Sequence, residues 1–81
     1  MAENTATKYT AEDVIRRIDN KRTLAQIALN NPDFSVRTAA IRRIDSVEVL
    51  ERIVRKDKDP FVRMVASKKL TMLEEELQPK Q

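Results

Sequence analysis

Apolar residues recur along most of this chain at intervals of three and four, the spacing that gathers them on one side of an α-helix. Leu24, Ile27 and Ala28 mark one such stripe, and Val47, Leu50, Ile53 and Val54 mark another. Each is followed by a second helical stripe, Val36, Ala40 and Ile44 in the first case and Val62, Ala66, Leu70, Leu73 and Leu77 in the other. Polar residues punctuate the pattern. Asp33 and Asp59 stand where a carboxylate caps the free N–H groups of a first turn, and Pro60 follows at the first helical position, where its missing N–H costs nothing. Upstream, Thr10-Ala-Glu-Asp13 has the form of a capping box, with Tyr9 and Val14 at staple positions, and predicts a helix over 11–18. Asp19 or Asn20 can cap the next helix, and Asp45 or Ser46, with Glu48 close behind, can cap the fourth. The expectation is an all-α domain of about five helices over 10–77, between a flexible segment 1–9 and a flexible tail 78–81.

The stripes themselves repeat. Ile15-Arg16-Arg17-Ile18-Asp19 recurs letter for letter as Ile41-Arg42-Arg43-Ile44-Asp45, an offset of 26 residues. The same offset pairs Leu24 with Leu50, Ile27 with Ile53, Asp33 with Asp59, Val36 with Val62, Arg37 with Arg63 and Ala40 with Ala66. Agreement spread over a whole unit indicates duplication, with units over 20–45 and 46–71 preceded by a half unit ending near Asp19. One helix pair cannot bury its stripe alone. The antiparallel pairs are therefore expected to stack as a short solenoid around one continuous core.

The strings Asn31-Pro-Asp-Phe-Ser-Val-Arg-Thr-Ala-Ala40 and Asp57-Lys-Asp-Pro-Phe-Val-Arg-Met-Val-Ala66 share the pattern Asp-x-x-Val-Arg-x-x-Ala. This resembles the core of short HEAT-like repeats, the kind also seen in phycobilisome lyase proteins, over roughly residues 11–73. The resemblance implies an α-α superhelix of about two and a half repeats that acts as a scaffold. It also implies a structural ladder in which turn Asp and second-helix Arg tie neighbouring repeats, here Asp33 with Arg37 and Asp59 with Arg63. The residues agree, because both arginines fall toward the core side of their helices, where a guanidinium needs a carboxylate or carbonyl partner. Pairing within a repeat and pairing across repeats both remain open at this point. The chain departs from the family in lacking a Gly after the second helix. HEAT-like repeats serve protein docking, bilin attachment and nucleic-acid binding in different members, so the resemblance implies binding and no particular chemistry.

Composition narrows the chemistry further. The chain has no His, Cys or Gly, which removes His-based triads, thiolate nucleophiles, zinc sites with His or Cys ligands, disulfides and Gly-rich phosphate loops. Asp57-Lys-Asp59 lacks the Gly and distal Glu of a calcium loop and reads as loop solvation plus a cap. No enzyme activity, cofactor or metal is expected. Sixteen basic residues against thirteen acidic ones give a net charge of +3, a mild basic bias.

One part of that charge follows the repeat. Arg16-Arg17, Arg42-Arg43 and Lys68-Lys69 recur with the period and become candidate partner-binding residues, in a stripe with steps of roughly 10 Å between neighbouring helices. A stripe like this suits polyanions, but duplication also copies ordinary solvated surface. Tyr9, Phe34 and Phe61 are the only aromatic residues, so any nucleic-acid contact would be to phosphates and sensitive to salt. Val65 and Met72 lie away from the core stripe of the last helix, placed either to pack on the preceding helix or to meet a second copy or another protein. No window approaches the roughly 18 apolar residues of a membrane span, and no apolar run follows a basic start, so a cytoplasmic location is expected. The expected function is a small non-catalytic adaptor or scaffold that binds another protein. Weak, sequence-independent nucleic-acid binding through the basic stripe is the alternative.

Overall fold

The structure, a computed structural model, describes residues 10–77; Tyr9 and the rest of 1–9, together with 78–81, lie outside the described residues. Among the described residues there are five helices, α1 (Ala11–Arg16), α2 (Lys21–Asn30), α3 (Phe34–Ile41), α4 (Val47–Lys56) and α5 (Pro60–Leu77), and no strand.

Local side chains set the helix starts. Thr10 Oγ1 accepts from the Asp13 N–H while the Asp13 carboxylate accepts from the Thr10 N–H, closing the capping box. That backbone bond from Thr10, helped by the Thr10 hydroxyl and the charges of Arg16 and Arg17, holds the Asp13 carboxyl below its ordinary value of 3.8. Asn20, not Asp19, caps α2 by accepting from the Thr23 N–H, and Ser46, not Asp45, caps α4 through Val49. Asp33 and Asp59 cap α3 and α5 through the N–H groups of Ser35 and Phe61.

Two of the helix ends match at the 26-residue offset. α1 stops at Arg16 instead of reaching residue 18, because the N–H groups of Arg17 and Ile18 turn to carbonyls three residues back, the tightening common at helix termini. Arg43 and Ile44, their copies, do the same at the end of α3. α5 departs from this pattern. The position of the capping Ser46 is held there by Met72, which cannot start a new helix, and α5 continues through good helix formers to Leu77.

Packing arranges the helices in two layers. α3 lies between α1 and α5, while α2 and α4 touch each other and pack on α3 and α5 respectively. The core is one cluster, with Ile15, Ile41, Leu50, Ile53 and Val62 as its largest fully buried side chains. Ala28, Ala40 and Ala66 are fully buried between them. Covered on several sides, α3 buries every residue from Arg37 to Ile41. One expected core contact is absent. Leu77 is 72% exposed, because α5 outlasts α4 by eight residues, or about 12 Å, and its last turns run past their support. Val14 is 54% exposed, and its expected staple partner, Tyr9, lies outside the described residues. Of the other pair, Val65 is half-buried against the core and Met72 is exposed. No helix among the described residues is long and apolar enough to cross a membrane.

Candidate partner-binding groove

Arg37 is the most deeply placed charge, and its surroundings show how adjacent units are joined. Its Nε lies 2.8 Å from Asp57 Oδ2 and its Nη2 3.1 Å from Asp57 Oδ1, a two-point guanidinium–carboxylate pair, while Nη1 donates to the Asn31 carbonyl at 2.8 Å. Both side chains are almost wholly buried. The carboxylate is thus Asp57 across the unit boundary and not Asp33, whose oxygen is taken up by the Ser35 N–H at the α3 cap. Arg63 repeats half of this arrangement, its Nη1 donating to the Asp57 carbonyl at 2.7 Å. Asp59, like Asp33, serves as a cap, and among the described residues Arg63 has no carboxylate partner. A signal was available: Asn31 and Asp57 occupy the same repeat position, and each accepts from the N–H two residues on, of Asp33 and Asp59, at 2.9 Å. No buried side-chain N or O among the described residues is left without a partner.

The paired cations divide into two roles. Arg43 donates through Nη1 to the carbonyls of Ile15 and Ile18 at the end of α1. Lys69, its copy, donates through Nζ to the Arg42 carbonyl at the end of α3 at 2.7 Å. Each thus satisfies terminal carbonyls of the preceding layer helix, where the helix dipole also favours positive charge. Arg17 sits at the C-cap of α1. Among the first members, Arg42 pairs with Glu12, Arg16 stands 3.7 Å from Asp13 with its side chain mostly in solvent, and Lys68 is exposed. The six cations are therefore not a uniform stripe.

Beside them runs a groove of about 490 Å³, lined by Phe61, Met64, Val65, Lys68, Lys69 and Met72 of α5 and by Arg42 at the C-cap of α3. Phe61, Met64 and Met72 are each about half exposed. Phe61 stacks edge-to-face on Phe34 with ring centroids 6.4 Å apart, which fixes one end of the groove. Along α1 and α3 lie a groove of about 430 Å³, lined by Glu12, Ser35, Thr38, Ala39 and Arg42 among others, and a smaller one of about 220 Å³ bordered by Glu12, Arg16, Arg42 and Arg43 around Ile15 and Ala39. At the positions of Met64 and Val65 in the α5 groove, α3 carries Thr38 and Ala39, both buried, so only the α5 groove has an exposed Met there. Unbranched thioethers adapt to varied apolar surfaces, and cations on the rim favour acidic neighbours. Compared with known proteins, the chain matches no family model, and no curated protein or solved structure is significantly similar to it.

Proposed function

We propose that the protein is a small non-catalytic adaptor, a HEAT-like helical-repeat scaffold that binds another protein in the α5 groove. The observation that carries this reading is the exposed row Phe61, Met64 and Met72 beside Arg42 and Lys68. An apolar floor with a cationic rim suits an amphipathic helix bearing acidic flanks. The two-layer packing and the Arg37–Asp57 link between units support the repeat-scaffold part of the reading. The engagement of Arg43 and Lys69 with backbone carbonyls favours protein over nucleic acid, because it leaves fewer cations to meet phosphates.

Selection of a displayed helical-peptide library on the full chain tests the proposal, with Met64→Glu/Met72→Glu as the comparison. Selected peptides should bind the parent protein and lose about tenfold or more affinity for the variant. Mixed-sequence DNA and RNA duplexes should not bind at low or moderate salt. Duplex binding that weakens steeply with salt, and disappears when Arg16, Arg42 and Lys68 are changed to Glu, would place the function on the cations instead.

A further inference from the structure

The side of α5 that corresponds to the covered side of α3 is only partly covered among the described residues. In α3, Arg37, Ile41 and Ile44 are 5%, 0% and 4% exposed. Their repeat counterparts on α5 are Arg63, Ser67 and Leu70, of which Ser67 is exposed and the other two only half-buried. With Glu74 and Leu77 they form a stripe within about 80° of arc, on the opposite side of α5 from Phe61, Val65 and Met72 of the groove. Val54 on α4, the counterpart of the fully buried Ala28, is half-buried on the same account.

This stripe is self-complementary when two α5 helices lie antiparallel. Placing Ser67 opposite Leu70 of a second copy sets a small side chain against a large one. The same register brings Arg63 opposite Glu74 of the second copy, and Pro60 opposite its Leu77. Two-fold symmetry makes each contact occur twice. Arg63 enters with one Nη1 held on the Asp57 carbonyl and with no carboxylate among the described residues, the position that Asp57 fills for Arg37.

We infer that the protein forms a two-fold dimer through antiparallel α5 helices, with Arg63 of each chain paired to Glu74 of the other. The dimer covers Leu70 and the exposed Leu77 and leaves both partner-binding grooves open.

Sedimentation equilibrium of the full chain from about 1 µM to about 1 mM tests this directly. The mass should rise to two chains. Arg63→Glu and Glu74→Arg should each weaken association about tenfold or more, and the double variant Arg63→Glu/Glu74→Arg should restore it, because the charges are exchanged and not removed. Should Arg63→Glu disturb the α4–α5 turn in circular dichroism, Ser67→Arg at an exposed seam position takes its place and should also yield single chains. A single-chain mass for the parent throughout the range overturns the inference. So does a dimer indifferent to both Glu74→Arg and Ser67→Arg, or a folded double variant that stays single.

Discussion

Arg37 and Arg63 share sequence context and repeat position yet should differ sharply in what they contribute to stability. Replacing Arg37 with Met keeps the apolar stem and removes the guanidinium. The Asp57 carboxylate is then left almost wholly buried, with the Asp59 N–H as its remaining donor. Breaking one side of a buried pair costs about 3–5 kcal/mol. A chain of this length has a total stability of roughly 4–12 kcal/mol, so the loss is a large share of it. Arg63→Met removes one charge-assisted bond to a carbonyl in a half-buried setting, where water compensates in part, and should cost about 1–2 kcal/mol. Urea denaturation of both variants, with thermal melting as a second measure, reads the difference. At about 4–8 °C per kcal/mol, Arg37→Met should lower the melting temperature by about 12–40 °C and Arg63→Met by about 4–16 °C. Combining Arg37→Met with Asp57→Asn should do less damage than the two separate losses added, by about 1–2 kcal/mol, since the stranded carboxylate is gone. Equal costs for Arg37→Met and Arg63→Met, within about 0.5 kcal/mol, would refute the assignment of Asp57 as a buried partner across the unit boundary.

Ala40 is fully buried in the middle of α3, so Ala40→Leu should overpack it and cost about 1–3 kcal/mol or more in the same urea assay; a neutral result would mean that space exists there. Arg43→Gln takes away the donor to the carbonyls of Ile15 and Ile18, and hydrogen exchange should then speed up across α1 while the α4–α5 amides keep their rates. Unchanged α1 exchange would show that the contact holds nothing in place. The Asp13 carboxyl, lowered by its capping bond, contributes stability that is fully present above 3.8 and is lost as the pH falls through the lower folded value. An NMR titration of Asp13 with a midpoint at or above 3.8 would contradict the capping-box geometry.

Helix number and the turns were legible in the residues because each depends on neighbours three or four positions away. A cap needs a side-chain oxygen within reach of its own first turn, and an apolar stripe needs only the period of the helix. Local choices were harder where two candidates stood side by side, as with Asp19 against Asn20 and Asp45 against Ser46, since either could reach the same N–H groups. The groove was legible only in part. Met72 and Val65 stood out as apolar residues off the core stripe, but Met64 and the two Phe rings depend on which sides of α5 are covered. The roles of the charged residues were settled by tertiary structure alone. Arg37 meets Asp57 twenty residues on, and Arg43 meets carbonyls 25 and 28 residues back, distances along the chain that carry no local signal. Sequence by itself determined that a guanidinium on the core side of α3 must find a partner, because a bare charge there is too costly. Only the tertiary packing decided that the partner is Asp57, since Asp33 had already been taken by the N-terminus of its own helix.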